Sequence, residues 1–263
     1  MNFYLISLID RILEEAMIKF SKFPRGQSAF YYDQDEFLLR HTRKIVDFYM
    51  MFFSEIDFLS VDYDYYKSEL LQEVNLENKE FPESDILLKR LTTFPKIKRI
   101  ELPFIKDEIL PVHLHCSTKS EILLIMGIVV LEKGDINARF ILHKVGVPRS
   151  LIKPAPRHLQ YLHKVLERYE SNKQMSMDKL LRYFDKNYNQ FQRDCKHYFG
   201  DTFYQFYTKK RMIDGVGDIL FSKLSLKEIA YKNSFSDYNS MYKVFKKYDN
   251  LTLVNIPRFL QDI

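Results

Sequence analysis

A short stretch near the end of the chain carries the side chains best suited to chemistry. Asp237, Tyr238, Asn239, Tyr242, Lys243, Lys246 and Lys247 share one face when the stretch is wound as a helix. The lysines supply charge for phosphates, and an asparagine amide offers the donor and acceptor pair that a base edge demands. This is recognition chemistry rather than bond-making. The sequence shows no nucleophile–base pair, no phosphate-cradling loop and no paired-carboxylate signature. No catalytic residue and no cofactor is therefore assigned, and the chain is expected not to be an enzyme.

The elements that must position this face span Leu224–Tyr248. Ser225 followed three residues later by Glu228 makes a capping box, and Leu226, Ile229 and Ala230 form one apolar face behind it. The pattern breaks at Asn233-Ser234. Ser236 is the N-cap candidate for a second helix, whose Met241, Val244, Phe245 and Tyr248 turn inward. Two short helices about a tight turn, the second presenting a basic polar face, make a unit that can enter a DNA major groove.

The residues Glu228-Ile229-Ala230, Phe235-Ser236 and Val244-Phe245-Lys246-Lys247-Tyr248 resemble the second helix-turn-helix of the AraC/XylS family of bacterial transcription regulators. The resemblance runs over residues 173–259, about a third of the chain. It implies two helix-turn-helix motifs, at 177–199 and 226–248, joined by one long helix. The sequence supplies each part. Ser176 caps a helix over 177–184, Asp185-Lys186-Asn187 turns, Tyr188–Phe199 is a first reader closed by Gly200, and 203–220 suits the connector.

By that resemblance Gln192 and Arg193 fall on base-contacting positions, with Asn189 one turn earlier; Asn239 and Lys243 fall on the corresponding positions of the second motif, beside Tyr238 and Tyr242. The side-chain types suit the role, since arginine is bidentate to guanine and glutamine or asparagine can read adenine. Phe191 and Cys195 belong to the inward face, which makes Cys195 core rather than redox sensor. Arg211 stands where the family has an arginine. Other positions depart from the pattern. Gly215, Gly217 and Asp218 replace alanine, a helix former and leucine, which predicts a looser connector. Ser234 replaces a turn glycine, lysine replaces arginine at 243, and Asn250 and Thr252-Leu253 replace a glycine and a Thr-Pro pair. These changes weaken the expected base discrimination of the second motif.

The first two-thirds lie outside the resemblance. Helical spacing places Leu5, Ile9, Ile12, Leu13, Ala16 and Phe20 on one face of a helix over 3–20, and a second helix over 33–53 ends in aromatic residues. Pro82 and Pro95 bracket a short helix over 84–94. Residues 96–158 admit three readings. In one they form a small β unit, with strands at 99–104, 109–115 and 122–131; His113, His115, Glu121 and His158 then resemble, with imperfect gaps, the metal ligands of a cupin barrel. In the second, Thr118 and Glu121 make a capping box that opens a helix over 119–132, followed by a helix over 136–144 with Gly146 as its C′ residue. In the third, 143–152 is a further DNA-reading turn. Mixed or helical structure is favoured, and no metal site is assigned. Residues 158–169 form an amphipathic helix with Leu159, Leu162, Val165, Leu166 and Tyr169 inward, and 170–176 serves as linker.

The expected fold is thus mainly α: an α-rich or α+β N-terminal domain over 1–170 for sensing, dimerisation or partner binding, and a double helix-turn-helix domain over 171–263. Charge follows the same division. Residues 172–263 hold 16 Lys/Arg against 10 Asp/Glu, and the remainder 24 against 25, so attraction to a polyanion belongs to the C-terminal third. Cys116 and Cys195 have no metal or disulfide spacing, which suits a reducing compartment. Charges at Asp10, Arg11, Glu14 and Glu15 interrupt any signal-peptide run, and the apolar stretch over 122–131 is too short to span a bilayer. A cytoplasmic protein with double-stranded DNA as partner is expected. RNA polymerase, a small-molecule or protein effector and a homodimer are further expected partners; a membrane is not. The alternatives are a cupin-like metal enzyme or sensor in the N-terminal part, and an accessory DNA-binding factor without ligand.

Overall fold

Ten consecutive apolar residues, Ile122–Leu131, fill the central strand of an antiparallel sheet in the N-terminal part of the chain. The computed structural model describes residues 3–22, 34–58, 68–72, 107–134, 139–152, 156–172, 175–248 and 251–259. It divides into two units, one of Ile9–Leu151 and one of Met1–Leu8 with Ile152–Asp262. The second includes the helix before the first helix-turn-helix, which the sequence analysis assigns to the N-terminal domain.

In the first unit, helix α1 (Phe3–Ser21) contributes its residues from Ile9 onward and is followed by α2 (Gln34–Glu55). The strands are β1 (Ser68–Gln72), β2 (Glu108–Ser117), β3 (Glu121–Leu131) and β4 (Arg139–Pro148), in the order β1-β4-β3-β2 with every pair antiparallel. One face of the sheet is an apolar cluster of Val112, Leu114, Cys116, Leu123, Ile125, Val129, Leu131, Phe140 and Leu142. The register places His113, Met126 and His143 in one row on the opposite face. Side chains of α1 and α2 reach that row: Asp10 hydrogen-bonds His113, and Thr42 meets His143.

The helical reading of 96–158 is therefore corrected, and the β reading stands for the strands at 108–117 and 121–131. A strand buried on both faces has no alternation, so its apolar run cannot be told by period from a buried helix. The Thr118/Glu121 pair is a turn device rather than a helix cap. Thr118 N donates to Glu121 O at 2.9 Å, and Thr118 Oγ1 accepts from Glu121 N at 3.1 Å, closing the β2–β3 hairpin. Residues 136–144 lie partly in β4, as does Gly146, and 143–152 form the end of β4 and a 3-10 turn, Arg149–Leu151, so the third reading fails as well. Gly127 is required by close approach, because a Cβ there would lie 1.9 Å from the Ile141 carbonyl oxygen. The expected helix over 84–94 and strand over 99–104 lie outside the described residues.

In the second unit the expected helices appear with small changes of boundary. They are α3 (Tyr161–Ser171), α4 (Met177–Arg182), α5 (Tyr188–Phe199), α6 (Phe203–Phe221), α7 (Leu226–Lys232) and α8 (Tyr238–Phe245). Their core joins Leu162, Val165, Leu180, Phe191, Phe203, Phe206, Val216, Ile229, Met241 and Phe245, all buried. Tyr4, from the first turns of α1, stacks on His163 at 4.2 Å and neighbours Tyr198, Phe199 and Phe206. Tyr198 Oη lies 2.7 Å from His163 Nε2. The last described residues dock on α6: Leu251, Leu253, Ile256 and Phe259 are buried, and Phe259 N donates to Leu220 O at 3.1 Å.

Candidate nucleic-acid interface

Each reader helix is set by an N-cap and by a left-handed residue in the turn before it. Asn187 Oδ1 accepts from Gln190 N at 2.8 Å and starts α5. Asp237 Oδ1 accepts from Ser240 N at 2.6 Å and starts α8. The cap of α8 is thus Asp237 and not Ser236, whose hydroxyl instead lies 2.6 Å from that of Ser240. The Asp237 carboxylate is thereby committed to the helix end rather than to the polar face.

The two turns are built alike. Asp185 has φ 50° and Ser234 has φ 62°, and each is followed by a residue whose N–H reaches back five positions. Lys186 N donates to Leu181 O at 3.2 Å, and Phe235 N donates to Ala230 O at 2.9 Å. This is the helix-ending motif that normally calls for glycine at the left-handed position. From there the N-cap of the reader follows after two steps in the first unit (Asp185 to Asn187) and three in the second (Ser234 to Asp237). The second turn is one residue longer.

Burial sorts the candidate readers. On α5, Asn189 and Arg193 are exposed, together with Lys196 and His197. Gln192 is half-buried, and its Oε1 is enclosed without a hydrogen-bond partner among the described residues. On α8, Asn239, Tyr242 and Lys243 are exposed with Lys246 and Lys247, and Tyr238 is half-buried with its ring centroid 6.1 Å from that of Tyr242. Lys196 was missed by the sequence analysis. It follows Arg193 by three residues on the same face of α5.

Behind the exposed face of α5 lies a polar chain that the sequence analysis also missed. Asp194 is buried among Phe191, Cys195 and Tyr198. Its Oδ2 accepts from the Tyr161 hydroxyl and its Oδ1 from Gln190 Nε2, both at 2.6 Å. Gln190 Oε1 in turn accepts from Arg193 Nη2 at 3.0 Å. Burial and the adjacent carboxylate push the Tyr161 phenol and the Cys195 thiol up, the latter to about 12, so both stay protonated at neutral pH. The sequence signal was available: an acidic residue on the apolar face of an amphipathic helix needs a partner.

The long helix holds the second unit by side chains as well as by packing. Arg211 Nη1 donates to Ser234 O at 2.8 Å, with its guanidinium 4.5 Å from the Phe235 ring centroid. Asp218 accepts from Asn233 Nδ2 at 2.9 Å and from Lys232 Nζ at 2.6 Å. Asp218, which departs from the family's leucine, anchors the end of α7. Helix α6 runs unbroken through Gly215 and Gly217.

The histidines of the N-terminal unit are engaged otherwise than a cupin pattern requires. His113 Nε2 donates to Asp10 Oδ1 at 2.6 Å, with Glu14 Oε1 3.6 Å from Nδ1; His115 Nδ1 lies 3.9 Å from Asp10 Oδ2. His158 belongs to the second unit, in a 3-10 turn. Among the described residues no three or more His, Cys, Asp or Glu side chains come together so as to hold a metal ion, and no helix is long and apolar enough to cross a membrane.

A family model described as a helix-turn-helix domain matches residues 180–253, which run from within α4 to beyond α8. No curated protein and no solved structure matches the chain.

Proposed function

We propose that this chain, a DNA-binding transcription regulator whose C-terminal domain is of the AraC/XylS type, reads two successive major grooves with α5 and α8. The observation that supports this most is the pair of like-built turns, each delivering a capped helix with an exposed polar face. Two such helices spaced by about one turn of B-DNA, roughly 34 Å, engage one side of the duplex. In this reading Asn189 and Arg193 contact base edges from α5, and Asn239, Tyr242 and Lys243 from α8. Tyr238 and Gln192, both half-buried, sit at the rim of their faces, and Lys196, Lys246 and Lys247 hold phosphates. The exposed lysines supply a salt-dependent affinity independent of sequence. The N-terminal unit is proposed to receive an effector, RNA polymerase or a second copy of the chain.

The test is selection of preferred duplexes from a random pool by the full chain, repeated with Arg193→Ala. The expected result is a two-part site whose preference collapses at one base position in the variant, by about five- to 150-fold. A uniform loss of affinity across all sequences, with a shallower salt dependence, would reduce Arg193 to a phosphate contact. No preference by the wild-type chain over bulk competitor would overturn the reading.

A further inference from the structure

The exposed arginine of α5 is tied at the back. Arginine is long, and a free side chain on a helix surface loses about 2 kcal/mol of rotamer entropy when it settles on one base. Here Arg193 Nη2 already donates to Gln190 Oε1. Gln190 can accept there only if its amide is turned so that Nε2 points the other way. That way lies Asp194 Oδ1, an acceptor with no hydrogen to give when ionised. Tyr161, reaching from α3, donates to the other carboxylate oxygen, Oδ2. The run of donors and acceptors has one direction throughout: Tyr161 and Gln190 give to Asp194, and Arg193 gives to Gln190.

We infer that Asp194 is a positioning residue for DNA recognition: with Tyr161 it locks the Gln190 amide, and the locked amide holds the Arg193 guanidinium ready for a base edge. The inference rests on the reading of Arg193 as a base contact. The remaining guanidinium N–H groups of Arg193 are available in number for a bidentate contact, since the fork carries five. Asp194 touches no DNA in this scheme. It acts on specificity through one intermediary and ties α3 to the reader helix, so that a shift of α3 would be felt at Arg193.

The experiment compares full-length wild type, Arg193→Ala, Gln190→Met, Asp194→Ala and the double variant Gln190→Met/Arg193→Ala in the same duplex selection, with thermal melts as the fold control. Gln190→Met leaves the buried carboxylate and its Tyr161 hydrogen bond in place while removing the Gln190 donor and with it the link to the arginine, so it keeps the test open if Asp194→Ala does not fold. The expected result is that Gln190→Met and Asp194→Ala each relax preference by at least about threefold at the base position that Arg193→Ala relaxes, and that Gln190→Met adds nothing once Arg193 is gone. A merely structural role would instead lower affinity for all duplexes alike and leave the base preference intact; that outcome overturns the inference while leaving Arg193 as a reader. If Arg193→Ala itself leaves the preference unchanged, the reading of Arg193 fails and the inference falls with it.

Discussion

Arg211 donates from Nη1 to the carbonyl oxygen of Ser234 at 2.8 Å, and lays its guanidinium over Phe235, the next residue. Arg211 lies near the middle of α6, and Ser234 is the left-handed residue of the second helix-turn-helix. One side chain of the connecting helix thereby holds the turn that sets the angle between α7 and α8.

Removing that grip should be felt in the whole C-terminal unit. Arg211→Ala is expected to destabilise it by about 2–3 kcal/mol, combining a charge-assisted hydrogen bond with a cation–π contact. Arg211→Lys should recover less than half of the loss, because a point charge cannot donate in a fork and stack at once. Urea unfolding of the three proteins followed by far-UV circular dichroism checks both expectations.

Ser234 occupies a conformation that costs an L residue roughly 1–2 kcal/mol, and glycine avoids this cost. Glycine also loses more backbone freedom on folding, by roughly 0.5–1 kcal/mol. The net for Ser234→Gly is a gain of up to about 1.5 kcal/mol, with the Arg211 contact kept because it uses the backbone carbonyl. A rise in the midpoint of urea unfolding is the readout, and a fall would show that the serine hydroxyl contributes more than the backbone strain.

Asp218 is buried and accepts from two residues at the end of α7, and these are expected to differ in weight. Asp218→Ala removes the acceptor for a buried amide and should cost about 1–3 kcal/mol. Lys232→Ala removes only a partner that is more than half exposed, and should cost less than about 1 kcal/mol. Thermal melts that rank the two variants the other way round would shift the anchor from Asn233 to Lys232.

In the N-terminal unit the two histidines on the helix-facing row pull against each other as pH falls. Burial, with Arg43 adding, pushes His143 down to about 4, and its Nε2–H donates to Thr42 Oγ1 at 3.2 Å. Below about pH 6.5 the unfolded chain gains a proton there that the fold refuses, so stability falls with pH until the fold also protonates near 4, by at most about 3 kcal/mol. For His113, burial lowers its pKa, but the Asp10 hydrogen bond and the Asp10 and Glu14 charges outweigh burial and raise it. Its contribution is fully present below 6.5 and is lost as pH rises through its folded value. Hydrogen exchange of β3 amides at pH 7.5 and 5 should show protection lost at the lower pH in wild type. His143→Gln should flatten that loss, and His113→Gln should steepen it.

Much of the C-terminal architecture was legible from local signals. Capping boxes, inward apolar spacing and the glycine after Phe199 act within a few residues of where they are written, so α5, α7 and the frame of α8 could be read in place. The cap of α8 was misplaced by one residue because Ser236 and Asp237 are both good caps, and only the longer second turn chooses between them. Gln192 was matched by position to a base contact, yet packing half-covers it.

By itself the sequence determined where helices begin and which faces are apolar in the recognition third, because those are properties of neighbours along the chain. Tertiary structure alone decided what happens between distant residues. It turned the Thr118/Glu121 pair into a hairpin, since Ile122–Leu131 is buried by strands from either side and its apolar run holds no period of its own. It made Asp218 an anchor and Asp194 the centre of a polar chain, because a buried carboxylate takes its meaning from donors 15 and 33 residues away.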